Sequence, residues 1–263
     1  MKAVNIVLIS FVLYHCSPEN IKTSLEKDNL RGKVKYVKEY SIVQDQTSEN
    51  RPAGIVLEKF YNFKGYIIES AEYADSNALT EKVVYNYDET NRIISQSAFS
   101  KDRKMKWRLE YVYNETDSSV LVNLFDDKGS QLSSTNYRFI NDEILNPVKE
   151  NDLQFGEKLY DKAGNVAEIK NSWDLTRIKY QYVSGLLTES LNYDEKNRLT
   201  SKETYRYDSQ RNLTEKRTFD KSGKSTGFQK YHYVFDKQGN WINKIEFTDG
   251  KKTDIVERVI EYY

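Results

Sequence analysis

Apolar and polar side chains alternate through residues 193–247 in short runs, each interrupted by an aromatic–Asp pair. The copies read Tyr193-Asp194-Glu195-Lys196-Asn197, Tyr207-Asp208-Ser209-Gln210-Arg211-Asn212, Phe219-Asp220-Lys221-Ser222-Gly223 and Phe235-Asp236-Lys237-Gln238-Gly239-Asn240. Alternation with period two is a strand signal, because successive strand side chains point to opposite faces. The Asp leaves the ladder, since its carboxylate can accept from the backbone amide two residues on and start a turn. Gly or Asn then closes the turn, both tolerating positive φ. The four Asp positions are 14, 12 and 16 residues apart, too close for strand–helix–strand units of roughly 30 residues. The pattern predicts tandem β-hairpins in an antiparallel meander.

Within one copy, Tyr205 and Tyr207 share a face, and Thr204 and Arg206 take the other. Continued alternation puts Leu213 and Phe219 with the tyrosines, and Thr214, Lys216 and Thr218 on the opposite, solvated face. Weaker copies lie upstream at Tyr87-Asp88, Tyr113-Asn114, Phe125-Asp126 and Tyr160-Asp161, with Phe63-Lys64-Gly65 and Val183-Ser184-Gly185 as degenerate forms. Residues 33–139 make a first series of strands and residues 160–263 a second. Residues 140–157 break the rhythm around Pro147, with room for one helical turn near 142–145. The expected fold is all-β: a long twisted sheet of about fifteen strands that curls or folds over itself to hide its tyrosine face. One domain over residues 32–263 is expected, with two lobes divided at 140–157 as the alternative. The closing strand, 255–263, is apolar on both faces and so predicts cover on both sides.

These residues resemble the YD repeats of the RHS family, clearly over 193–241 and partly over 85–165. In large members such repeats build a sheet wound into a shell around a toxin. This chain is too short to enclose a cargo and lacks the family's Asp-Pro cleavage motif, its three prolines following Ser17, Arg51 and Asn146. It looks like the short lipoprotein members of Bacteroides-type bacteria without a toxin domain, down to the opening Gly32-Lys33-Val34-Lys35. That resemblance implies a lipid-anchored protein of the bacterial outer membrane or cell surface.

The N-terminus points the same way. Residues 1–16 read as a lipoprotein signal peptide: Lys2, then an apolar run over 3–14 too short to span a bilayer, then Cys16, the one cysteine of the chain. Cleavage and acylation at Cys16, with palmitate-type chains worth ~0.8 kcal/mol per buried methylene, give a permanent anchor. The alternative is an ordinary secretory signal that leaves an incidental thiol. Residues 17–31 are polar, without sustained period, and read as a flexible tether. From Cys16 onward 39 basic side chains face 40 acidic ones. That balance provides no basic footprint for nucleic acid. Aromatic content of 13% supplies apolar area against disorder.

Candidate chemistry is sparse. His232 is the one histidine after Cys16, and its neighbours Tyr231 and Tyr233 put it on the face opposite the tyrosine row, toward solvent. One His does not build a zinc site, and no Gly-x-Ser-x-Gly elbow, Walker or dinucleotide glycine pattern occurs. No catalytic residue, metal or cofactor is predicted. Asp88, Asp126, Asp161, Asp194, Asp208, Asp220 and Asp236 follow the hairpin spacing, so turn geometry explains them. Trp107 and Trp241 continue apolar strand faces. Trp173, in Asn171-Ser172-Trp173-Asp174, sits at a loop tip and, with Asn146 and Pro147 of the irregular stretch, is the candidate binding surface. The expected function is non-enzymatic binding of a protein or glycan partner. The alternatives are a carboxylate-dependent glycan hydrolase, which needs two carboxylates about 5–10 Å apart, and a purely structural envelope protein.

Overall fold

Each aromatic–Asp pair ends a strand, and the Asp carboxylate organises the turn after it. In the computed structural model, which describes residues 23–44, 50–74, 77–140, 143–147, 157–161, 165–171 and 174–263, Oδ1 of Asp208 accepts from the amides of Gln210 and Asn212 at 2.9 and 2.8 Å. Asp126, Asp194, Asp220 and Asp236 accept from the equivalent amides in the same way. The fourth turn residue takes positive φ: Gly129, Asn197, Gly223, Gly239 and, after Asp208, Arg211. There the sequence reading had Asn212 close the turn. Asn212 instead follows the left-handed residue and bonds back to Asp208 through its side chain.

This turn adds one residue to the return strand, and the addition has a large effect. Tyr207 pairs with Leu213 but Arg206 pairs with Glu215, so Thr214 is a bulge. A one-residue slip moves every later side chain to the other face. Lys216 therefore lies opposite Tyr205 and Thr218 opposite Glu203, on the tyrosine face, while Phe219 lies opposite Lys202 on the other. The simple alternation expected for residues 214–219 is corrected accordingly.

The first series contains β1 (Val34–Gln44), β2 (Asn50–Tyr61), β3 (Ile67–Ala74), β4 (Ala78–Tyr87), β5 (Ile93–Phe99), β6 (Met105–Asn114), β7 (Ser119–Phe125), β8 (Gln131–Ile140) and β9 (Glu143–Pro147). The second contains β10 (Glu157–Tyr160), β11 (Val166–Lys170), β12 (Arg177–Val183), β13 (Leu186–Tyr193), β14 (Leu199–Tyr207), β15 (Leu213–Asp220), β16 (Ser225–Phe235), β17 (Trp241–Thr248) and β18 (Lys251–Tyr262). Every ladder is antiparallel and consecutive strands pair within each series, so the chain is an all-β meander. β1 pairs with β18 on one side and β2 on the other, which joins both series into one sheet. The ladders leave β9 and β10 as the two edges, and the sheet is not closed into a barrel.

Two stretches differ from expectation. Residues 143–145 are strand rather than a helical turn, because Ile140 and Glu143 pair across a tight hairpin; Asp142 itself lies outside the described residues. Pro147 ends this edge strand, a place where a missing N–H costs no ladder bond. Residues 23–31, read as tether, are folded onto the tyrosine face. Thr23 and Glu26 form a capping box on α1 (Ser24–Lys27), and Leu25 and Leu30 are buried with Val34, Val37, Tyr61 and Ile67. A single helical turn is too short to show a period in the sequence. Asn29 and Arg31 then reach across to the turns after β14 and β16, bonding Asn212 and Asn240.

A second core cluster fills the same face of β5–β7, with Ile93, Ala98, Trp107, Leu109, Tyr111, Val120 and Val122. On β18, Ile255 and Val256 are buried as expected, whereas Val259 is 49% exposed. The outer face of that strand is thus covered only in part.

Candidate functional site

Beyond the two core clusters the tyrosine face stays open. Across β12–β17 it carries Tyr180, Tyr182, Tyr205, Tyr207, Tyr231 and Tyr233, all half-buried. Register sets their company. Tyr180 lies opposite Ser190, Ser190 opposite Glu203, and Glu203 opposite Thr218. In the next row Tyr205 lies opposite Lys216, which lies opposite Gln229. Tyr231 and Tyr233 face Glu246 and Lys244 on β17. In β5–β7 the neighbours of the tyrosines are mainly Leu, Val and Ala, with buried Gln96 donating to the Tyr111 hydroxyl, so the face seals; here they are polar, so it remains wet at one side.

Glu203 stands at the centre. One carboxylate oxygen accepts from the Tyr205 hydroxyl at 2.6 Å and the other meets Lys216 Nζ at 2.7 Å. Burial alone would raise its pKa, but hydrogen bonds from Lys216 and Tyr205 outweigh that and hold it below the usual carboxylate range. The Tyr205 hydroxyl is pushed up to about 12 by burial and by donating to Glu203. Lys216 Nζ also sits 5.9 Å from the Tyr205 ring centroid. Gln229 donates to Glu246 Oε1 at 2.7 Å, and Tyr233 donates to the Leu213 carbonyl at 2.7 Å. Toward β18, the Arg258 guanidinium lies 3.3 Å from the Trp241 ring centroid and meets Glu39 at 2.5 Å.

Glu203, Glu246 and Arg258 are each held by a partner already in place. The face therefore offers hydroxyls, an amide and ring surfaces, with Glu203 matched by Lys216 and Arg258 by Glu39. Such groups suit hydrogen bonding to a polar, uncharged ligand and stacking against it. Among the described residues no cluster of three or more His, Cys, Asp or Glu is arranged to hold a metal ion.

The residues singled out in the sequence are scattered. Trp107 is core, and Trp241 lies beneath Arg258 on the open face. His232 is exposed on the opposite face, 5.2 Å from the Phe247 ring. Cys16 and Trp173 lie outside the described residues, and of Asn146 and Pro147 the backbone alone is described, in β9. Glu203, Lys216 and Gln229 were missed. Glu203 and Gln229 share a face with Tyr205 and Tyr231 by alternation along their own strands, whereas Lys216 joins them through the bulge at Thr214, for which the extra turn residue is the sequence signal.

No family model and no curated protein matches the chain. Solved structures with partial similarity include one described as "TcdB2-TccC3-TEV", with TM-score 0.28 and 10% identity over 82% of this chain and 14% of that one. Two others are described as porin-like proteins. The one from Bacteroides uniformis has TM-score 0.27 and 12% identity, covering 87% of this chain and 98% of that one. The one from Bacteroides vulgatus has TM-score 0.29 and 11% identity, covering 88% and 99%. These overlaps are too slight to carry a function across.

Proposed function

We propose that the chain is a non-enzymatic, lipid-anchored envelope protein of the YD-repeat kind, held in the bacterial outer membrane through acylated Cys16, whose open tyrosine face binds a glycan. The observation that carries the reading is the contrast along one face: sealed by aliphatic side chains in β5–β7, lined by half-buried tyrosines with Glu203, Lys216 and Gln229 in β12–β17. Tyrosines give sugar rings flat apolar surfaces, while fixed carboxylate, amide and ammonium groups bond their hydroxyls. Self-neutralised charge favours an uncharged ligand over an ionic one. Glu203 and Glu246 stand on strands three spacings apart, about 14 Å at roughly 4.8 Å per strand, wider than the 5–10 Å of a glycosidase pair. That spacing supports binding over hydrolysis. The turn motif, repeated with its Asp-held geometry, supports the family reading.

Tyr205→Ala and Tyr231→Ala should each weaken retention on a polysaccharide affinity gel about tenfold, equivalent to about 1.4 kcal/mol, with the denaturant midpoint shifting far less. Unchanged retention across a panel of neutral polysaccharides would place the ligand elsewhere. Release of reducing ends, lost in Glu203→Gln, would instead establish the hydrolase. For the anchor, Cys16→Ala should abolish acyl labelling and move the protein out of the membrane fraction; persistent labelling would sink that part.

A further inference from the structure

One turn breaks the polar rule that the others obey. In the turn between β2 and β3, Asn62 Oδ1 accepts from the amides of Lys64 and Tyr66, as Asp does elsewhere. The residue after the organising Asp or Asn is Glu89, Asp127, Glu195, Ser209, Lys221 or Lys237 in the equivalent turns, and Phe63 here. Phe63 is 61% exposed. Its ring meets the half-exposed Tyr263 edge-on at 5.4 Å, with Lys33 Nζ 3.8 Å from its centroid. Exposed Lys64 beside it donates to Asn91. Two large aromatics and two lysines thus share one tip of the sheet, where turn chemistry does not require Phe63 and the Tyr263 hydroxyl donates to the Tyr61 carbonyl at 2.6 Å.

The same tip is where the chain leads away toward Cys16. Leu25 N–H donates to the Gly65 carbonyl at 3.1 Å, and Ile67 N–H donates to Ser24 Oγ at 2.9 Å. Only residues 17–22 separate Thr23 from Cys16, a span of at most ~25 Å when fully extended. Within residues 23–31 the acidic groups are engaged, Glu26 with Thr23 and Asp28 with Lys59 and Tyr61. Aromatic rings with flanking lysines are the side chains that settle at a bilayer interface, rings at headgroup level and ammonium groups at the phosphates.

We propose that this tip is a membrane-contacting surface: Phe63 and Tyr263 enter the headgroup layer and Lys33 and Lys64 meet lipid phosphates. The domain then stands on the bilayer by its β2–β3 turn. The proposal rests on acylation of Cys16. Acylated protein carrying Lys64→Cys, reconstituted in phosphatidylcholine–phosphatidylglycerol vesicles, would be labelled with a nitroxide. An acylated Cys16 offers no thiol, so one label per chain is expected; two labels would show that the anchor reading has failed. Given one label, the nitroxide at 64 should be several-fold more accessible to oxygen, relative to a water-soluble nickel complex, than one at Lys221→Cys. That second turn lies at the opposite end of the strands. Adding Phe63→Ser should bring the label at 64 to the same water accessibility as the one at 221. Equal accessibility at 64 and 221 with Phe63 intact would overturn the proposal.

Discussion

Leu109→Ala should lower the unfolding free energy by about 3 kcal/mol, whereas Leu213→Ala on the same face should cost only about 1 kcal/mol. Leu109 is 2% exposed and packs within the cluster of Trp107, Tyr111 and Val122. Truncation there removes several buried methyl and methylene groups and leaves a cavity whose walls are held by neighbouring strands. Leu213 is half-buried at a turn, where solvent reaches the site and little cavity forms. Urea midpoints measured on both variants would compare them directly. Equal shifts would mean that the second half of the tyrosine face is as closed as the first, which would also remove the proposed glycan surface.

Asn240→Ala should destabilise by about 2–4 kcal/mol, the cost of stranding buried polar groups. The Asn240 side chain is 1% exposed. It accepts from Arg31 N–H at 2.7 Å, donates to the Arg31 carbonyl at 2.9 Å and donates to the Tyr262 hydroxyl at 2.7 Å. Alanine leaves a backbone donor and acceptor of the N-terminal segment without these bonds, in a site too enclosed for water to replace them freely. The matched control is Asn165→Ala, at the same position of the turn after β10. There, among the described residues, the side chain reaches its own Asp161, so about half a kcal/mol is expected. Thermal unfolding of the pair would decide. A small effect at Asn240 would show that the segment over residues 23–31 is loosely held.

These two comparisons mark what could be read from the residues alone. The hairpins were legible because the turn chemistry is local: Asp208, the amides of Gln210 and Asn212, and a left-handed residue lie within five positions. The bulge was not, because nothing at Thr214 signals it; only the length of the turn between Tyr207 and Leu213 does. Since a single slip inverts a face, the error at Lys216 and Phe219 hid the candidate site itself. The fold of residues 23–31 was also illegible, because Leu25 and Leu30 are buried by residues such as Val37 and Tyr61 rather than by their own periodicity. Local rules fix the strands, and long-range partners decide which stretch of the tyrosine face is sealed.

The placement of β1 between β2 and β18 sets a schedule for folding. Glu39 and Arg258 are 219 residues apart in the chain yet form an ion pair across the β1–β18 ladder. β1 can gain one neighbour early, through the β1–β2 hairpin, but its other edge stays bare until β18 has been made. Closing so long a loop is entropically unfavourable before any contact rewards it. Ladders of this sequence separation fold slowly. The nascent chain must therefore carry an unsatisfied strand edge until β18 is made, a natural point for a holdase chaperone to act. A ribosome stalled before β18 would release a molecule whose two series are not yet stitched together.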